Sequence, residues 1–378
     1  MLVATPVTTD VRILREAGAL VEAGHAVHVV GKDVPADAHL PDGFTASSAS
    51  GGGGLRGSAT GPVDLSRAHL RAARWLLMPE HRRLSYRRWA SGAAAAASGL
   101  DYDVVHAHDF TALALGSRLA RRRAVPLVYD AHELWSERQR SGRPTPFERR
   151  QERRTEGILG GRADAVLTVG EALAERLRIS YGWEHVSVVR NTFPLPPEAA
   201  DAEVPRAPAG VVYAGRLAPG RDLATVAAAS RRMSLPVQLV GPSDPAWSAG
   251  FDPGRCVVVP AVEVADVEAV LRSAGLALVT LEPGCGNHQI ALPNKLFHAV
   301  RAGVPVVASD VGELARTVQA HGIGVLYRPG DAESLIRAVE EARRRHTELV
   351  AAVRRAREEL SWDRDRVQLL KVYAGLAR

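Results

Sequence analysis

Apolar and polar positions along this chain follow two rhythms. Short, nearly continuous apolar runs, "MLVAT", "AVHVVG", "YDVVHAHD", "PLVYDAHE" and "ADAVLTVG", are separated by longer segments whose apolar residues recur every three or four positions. The first longer segment, "DVRILREAGALVEAGH", sets Val11, Leu14, Ala17 and Leu20 at helical spacing and stops at Gly24. Runs of Val, Leu and Ala without alternation are strands buried on both faces, so the pattern predicts a parallel sheet covered by helices. It begins again after the proline-rich "NTFPLPPEAADAEVPRAPAG", with "VVYAGRL", "PVQLVG", "CVVVP", "LALVTL", "PVVASD" and "GVLY" as the next strands. The prediction is two doubly wound α/β domains, 1–190 and 211–357, joined by a linker at 191–210, with a final amphipathic segment in 358–378.

Two stretches break the rhythm. "SASGGGGLRGSATG" at 48–61 contains G-x-G-x-x-G spacing at Gly52, Gly54 and Gly57, but it does not connect a strand to a helix, so a flexible loop is the reading. Residues 66–90 are basic and carry Trp75, Tyr86 and Trp89. They read as solvated helices flanking the first domain or as a surface for peripheral contact with acidic lipid.

Composition narrows the classes. With 378 residues the chain exceeds one comfortable core, and 46% hydrophobic with 24% charged residues is ordinary for a soluble protein. The net charge of +6 favours small anionic partners, and the excess is too modest to argue for nucleic acid. Cys256 and Cys285 are far apart and lack the spacing of a disulfide framework or zinc site. "MLVATPVTTDVR" meets Asp10 before any long apolar core, and no run approaches the ~20 residues of a membrane span, so a cytoplasmic enzyme is expected.

Ligands of open α/β sheets bind beyond the carboxyl ends of the strands. In the first half those ends carry Thr8, Thr9, Asp10 and Arg12, then His106, His108 and Asp109, then Asp130, His132 and Glu133. His106 and His108 share a face of an extended segment. Zinc is a conceivable occupant, but no second ligand set completes a site, so no metal is expected. Asp109 is expected to cap the next helix. In the second half, Arg216 and Arg221 fall between a strand and a helix starting near Leu223, where cations and free N–H groups meet phosphate. Of 48 Lys+Arg residues only Lys32, Lys295 and Lys371 are lysine. "ALPNKLFHAVRAG" predicts a helix from Asn294 to Gly303 with Lys295 in its first turn. A cation there opposes the helix dipole unless an anion occupies the site. A compact ammonium approaches a phosphate as a point charge, which the planar fork of arginine does not.

These residues together resemble the GT-B glycosyltransferases, in particular retaining family 4, over nearly the whole chain. "DVRILREAGALVEAGHAVHVVG", "YDVVHAHD…PLVYDAHEL", "VVRNTFP", "YAGRLAPGRDL", "ALPNKLFHAVRAGVPVVASD", "GIGVLYRPGDAESLIRAV" and "LSWDRDRVQLLKVYAGL" occur in the family's order. The resemblance implies two Rossmann-like domains facing across a cleft, with the last helix crossing back to the first domain. It implies transfer of a sugar from a nucleotide diphosphate-sugar, UDP more than GDP or dTDP, to a small-molecule, glycan or lipid hydroxyl. Neither metal nor cofactor is implied. Arg216 and Arg221 match the positions that hold the donor diphosphate, and Asn294 and Lys295 match a "PNK" donor loop. His132 matches the first-domain histidine near the reacting carbon, with Asp130 beside it as a second catalytic candidate. Asp10, His106 and His108 fall on the acceptor side. The family's paired glutamates would stand at Ile290 and His298, so Asn287, His288 and His298 are the candidates for the sugar and ribose contacts. Those missing acids leave two alternatives open, a nucleotide-sugar epimerase or hydrolase and a non-catalytic nucleotide-sugar-binding protein.

Overall fold

The computed structural model describes residues 1–35, 40, 43–49, 86–138, 146–195 and 204–376. Most of 48–61 and of 66–90 lies outside the described residues, and so does the lipid-surface expectation for 66–85. Two compact units emerge. The first comprises residues 1–169, 173–189 and 368–378, and the second 170–172 and 190–367.

The first unit is a seven-stranded sheet in the order β3-β2-β1-β4-β5-β6-β7, all pairs parallel. Its strands are β1 (Leu2–Pro6), β2 (Val27–Lys32), β3 (Phe44–Ser48), β4 (Val105–His108), β5 (Leu127–Ala131), β6 (Ala165–Thr168) and β7 (Val186–Val188). The central strands β4, β5 and β6 are buried at every residue, as continuous apolar runs require. The two edges, β3 and β7, are not among the strands expected from the pattern. β3 buries one residue of five, Phe44, and β7 is three residues long, so each carries little periodic signal.

Between the strands run α1 (Val11–Glu22), α2 (residues 86–97), α3 (Asp109–Arg123), α4 (Pro146–Gly160) and α5 (Glu171–Tyr181). Asp10 caps α1 by accepting from Ile13 N at 3.4 Å, and its other oxygen accepts from Thr5 Oγ1 at 2.7 Å. Of the aromatic residues in 66–90 that are described, Trp89 is buried and Tyr86 lies against Trp135, with ring centroids 6.3 Å apart.

The second unit repeats the design with six parallel strands in the order β10-β9-β8-β11-β12-β13. These are β8 (Gly210–Ala214), β9 (Val237–Val240), β10 (Val257–Val259), β11 (Gly275–Val279), β12 (Val306–Ser309) and β13 (Gly324–Tyr327). Its helices are α6 (Leu223–Ser230), α7 (Pro245–Ser248), α8 (Val267–Ala274), α9 (Gly286–Gln289), α10 (Asn294–Ala302), α11 (Gly312–His321), α12 (Ala332–Arg344) and α13 (His346–Ala356). A final helix, α14 (Trp362–Leu376), starts in the second unit and has residues 368–376 in the first.

Both sheets share one winding. The order reverses between β1 and β4 in the first unit and between β8 and β11 in the second. Those reversals open crevices at the carboxyl ends, where ligands of doubly wound sheets bind. No helix of the described residues is long and apolar enough to cross a membrane.

Candidate functional site

Each unit carries a charged cluster at its reversal, and the two are built differently. In the first, α1 turns Arg12 and Glu16, four residues apart, onto the face that also buries Ile13 and Leu20. Arg12 is 6% exposed and Glu16 0%. Arg12 grips Asp130 through two parallel bonds, Nε to Oδ2 and Nη2 to Oδ1, each 2.7 Å, and donates from Nη1 to the carbonyl of Val189 at 2.8 Å. The same Asp130 accepts from His108 Nδ1 at 3.0 Å and His132 Nε2 at 2.8 Å. Burial alone would raise the Asp130 carboxyl, but Arg12 and His132 overcome it and hold the group well below the usual carboxylate range. One buried anion thus organises three donors from three elements.

His132 lies between two carboxylates. Its other nitrogen, Nδ1, is 3.3 Å from Asp109 Oδ2. Burial would lower the imidazole, yet Asp109 and Asp130 together raise it well above the usual histidine range. Asp109 is lowered in turn, with His132 outweighing burial. Asp109 is not the helix cap expected of it: it is the first residue of α3, has φ 61°, and spends its carboxylate on His132.

Glu16 escaped the sequence reading. Its Oε1 is 2.9 Å from Arg12 Nε, and its Oε2 is 3.8 Å from His106 Nε2 and 3.9 Å from His108 Nε2. Burial raises its carboxyl against the pull of Arg12. The signal available was a charged pair four apart beside an apolar stripe, which reads equally well as a solvated flank. Glu16, His106, His108 and Asp130 bring ligand-type atoms within 4.8 Å of one another, a grouping that the sequence reading, which found no second ligand set, did not anticipate. The Arg12 guanidinium already sits against both acids and takes the place a cation's charge would fill.

His106 donates or accepts at Tyr373 Oη, 2.9 Å away, and stacks on His108 with centroids 4.1 Å apart. Burial and then His108 push its imidazole well down, so it is neutral. His106 and His108, which the resemblance places on the acceptor side, are 1% and 0% exposed, and Asp130 at 0% reaches a substrate only through the groups it holds. Asp10 keeps partial exposure but serves α1 as its cap.

The second cluster has no such cancellation. The loop 215–222 leaving β8 is pinned by its backbone. Tyr213 Oη donates to Arg216 O at 2.9 Å, Thr280 Oγ1 donates to Arg221 O, and Glu282 N donates to Gly220 O at 3.1 Å. Asp222, buried with φ 51°, ends the loop by accepting from Thr225 Oγ1 at 2.6 Å and Tyr327 Oη at 2.7 Å. Arg216 and Arg221 are held at the start of α6, as expected. Arg216 is exposed and Arg221 half-buried.

Lys295 enters from the first turn of α10, whose bounds and Gly303 cap match the expected helix. Its ammonium lies 4.9 Å above the Tyr213 ring, and its chain crosses Gly215, where an added Cβ would stand 2.5 Å from Lys295 Cε. Gly215, at φ 150°, therefore makes room for the lysine. Burial, then Arg221, brings the ammonium down to about 7. Among the described residues, Arg216, Arg221 and Lys295 have no carboxylate partner.

The remaining candidates surround this cluster. His288 Nδ1 is bound to the carbonyl of Glu282 at 2.6 Å, while Asn287 and His288 lie on the short α9. Asn294 is exposed as the first residue of α10. His298, half-buried one turn further on, packs against Phe193 with centroids 4.1 Å apart, and Ile290 follows α9 as its cap. Neither position offers a carboxylate.

Comparison with known proteins agrees with this architecture. The family model for Glycosyltransferase Family 4 matches residues 10–196, and that for Glycosyl transferases group 1 matches residues 208–344. A search of curated protein sequences finds no significant match. Among solved structures, sucrose-phosphate synthase from Thermosynechococcus elongatus superposes with a TM-score of 0.73 at 17% identity, covering 100% of this chain and 98% of that one. Anabaena HepE in complex with UDP gives 0.68 at 15% identity over 99% of each chain. Its complex with UDP-glucose gives 0.69 at 15%, over 99% and 98%. With two glycosyltransferase family models together covering most of the chain, and this fold, the chain belongs to the GT-B glycosyltransferases.

Proposed function

We propose that the enzyme transfers a sugar from a nucleotide diphosphate-sugar, with UDP the favoured nucleotide, to a hydroxyl acceptor with the anomeric configuration retained and without a divalent metal. The observation that carries this reading is the set of three cations, Arg216, Arg221 and Lys295, at the starts of α6 and α10, with no carboxylate partner among the described residues. Charge without an acid beside it, held by a pinned loop at the start of a helix, is costly unless an anion neutralises it. A diphosphate supplies two to three negative charges at that place. The HepE complexes with UDP and UDP-glucose support the choice of nucleotide.

In this mechanism the bond between the anomeric carbon and the diphosphate oxygen breaks, and one to the acceptor oxygen forms on the same face. The acceptor's proton leaves with the diphosphate. Charge that grows on the departing phosphate oxygens is met by Arg216, Arg221 and Lys295, already in place, so little reorganisation opposes the step. Lys295, poised near neutrality in the free protein, is held fully charged once phosphate arrives. The first unit receives the acceptor, with His132 as the half-buried group of its cluster.

The test is thermal shift with UDP-, GDP- and dTDP-sugars, since a ligand at 100 times its dissociation constant stabilises by about 2.7 kcal/mol. NMR of the product's anomeric proton then reports retention, and turnover in excess EDTA reports metal independence. Donor consumed equally fast with no acceptor present would replace transfer by hydrolysis.

A further inference from the structure

His132 has both ring nitrogens committed, Nε2 to Asp130 at 2.8 Å and Nδ1 to Asp109 at 3.3 Å. A neutral imidazole owns one N–H, so it would set a lone pair against one of the two carboxylates. Only the imidazolium satisfies both. A ring in that state has no lone pair to receive a hydroxyl proton and no N–H to spare for an acceptor. Of the three members, Asp130 is sealed, while His132 and Asp109 side chains are 22% and 31% exposed. Asp109 therefore presents the most accessible acceptor atoms of the group.

Its backbone gives a second, independent observation. Four non-glycine residues of the described chain have positive φ: Asp33, Asp109, Ala124 and Asp222. Ala124 caps the end of α3, and Asp222 is tied by hydrogen bonds to Thr225 and Tyr327. The N-cap of α3 is His108, which makes no side-chain cap bond, and Asp109 follows it as the acidic first residue of the helix with its carboxylate against His132 at the end of β4. A positive φ in a non-glycine residue at a strand end, beside a buried charge network, is characteristic of functional sites.

We propose that Asp109, oriented by an imidazolium at His132, is the group that receives the acceptor's hydroxyl, and that the acceptor is a polyol such as a sugar. Asp109 is thus an acceptor-binding residue, Asp130 and Arg12 position His132, and His106 and His108 stay behind the wall. The assignment rests on the transferase reading above and adds the residue that meets the acceptor. Around His132 stand Asp130 on β5, Asp109 on α3, His108 on β4 with its ring centroid 5.9 Å away, and Glu16 on α1, with Arg12 bound to Asp130.

Asp109→Asn is the discriminating variant, because asparagine tolerates positive φ and keeps the shape. Long-range nitrogen NMR of the imidazoles, with His132→Gln to assign the signal, should find His132 protonated at pH 8 in the wild type. In Asp109→Asn its midpoint should fall by more than one pH unit. Methyl α-glucoside, titrated as the acceptor probe, should move the His132 signal in the wild type and not in the variant. A neutral His132 at pH 7, or a probe response that is absent in the wild type or equal in the two proteins, overturns the proposal. With UDP-glucose as donor probe, Asp109→Asn should weaken the apparent affinity for methyl α-glucoside at least tenfold and leave the nucleotide's thermal shift unchanged. If UDP-, GDP- and dTDP-sugars all fail to shift the wild type, the donor reading fails, whereas the His132 titration and probe response still decide Asp109.

Discussion

The charged clusters of the two units solve opposite problems. In the first, nearly every charge is answered within the fold: Arg12 by Asp130 and Glu16, His132 by Asp130 and Asp109. In the second, Arg216, Arg221 and Lys295 are gathered by a loop whose backbone is fixed, and among the described residues no carboxylate answers any of the three. A cluster whose charges are paired holds geometry, whereas one whose cations lack acids holds binding energy in reserve for a ligand. The same winding of strands, with the same reversal of order, supports both.

The comparison breaks most visibly at Arg12. Arg12→Met leaves Asp130 a buried anion with only histidine partners, and removal of one partner of a buried pair costs about 3–5 kcal/mol. Urea unfolding should register a loss of that order; a loss below about 1 kcal/mol would mean the first cluster is not held by its ion pair. Next comes Lys295→Ala, for which turnover should fall by ~10²–10³ with the fold intact by circular dichroism. Steady-state rates within about threefold of wild type would remove Lys295 from the donor site.

Stability should respond to Lys295 in the opposite direction. Its ammonium is brought to about 7 in the folded protein from 10.5. Between those values the unfolded chain binds the proton and the folded chain does not, so stability attributable to this group rises with pH across that window, and the penalty is complete below it. Lys295→Met should therefore melt a few degrees above wild type at pH 7, with the gap closing by pH 10. A gap that is absent or widens with pH would contradict the desolvated lysine. The smallest effect belongs to the exposed pair Arg231–Asp252, 2.6 Å apart with side chains 46% and 74% exposed. Arg231→Ala should leave the urea midpoint close to that of the wild type, and a clear loss would show that burial is not what separates the Arg12 pair from surface pairs.

Legibility in the sequence followed the range of the interaction. The helix from Asn294 and its lysine could be read because proline, asparagine, the apolar spacing and the closing glycine all lie within one segment, and because lysine is scarce in this chain. Central strands could be read from unbroken apolar runs. The edges β3 and β7 could not, because half-buried strands of three to five residues carry too few apolar positions to show a period. Asp109 was expected to cap a helix, and nothing local to it announces a positive φ or a histidine partner 23 positions on.

The chain alone therefore determined the fold class, the order of strands and helices in the interior, and which loops follow the carboxyl ends of the strands. These depend on periodicity and on turn chemistry, both local. Tertiary structure alone decided that Arg12 meets Asp130 across 118 positions, that Glu16 joins them, that His106 and His108 are sealed, and that Lys295 crosses Gly215 without an acid to meet it. Whether a charge is paired or left open depends on what the sheet brings beside it, and partners so distant leave no pattern along the chain.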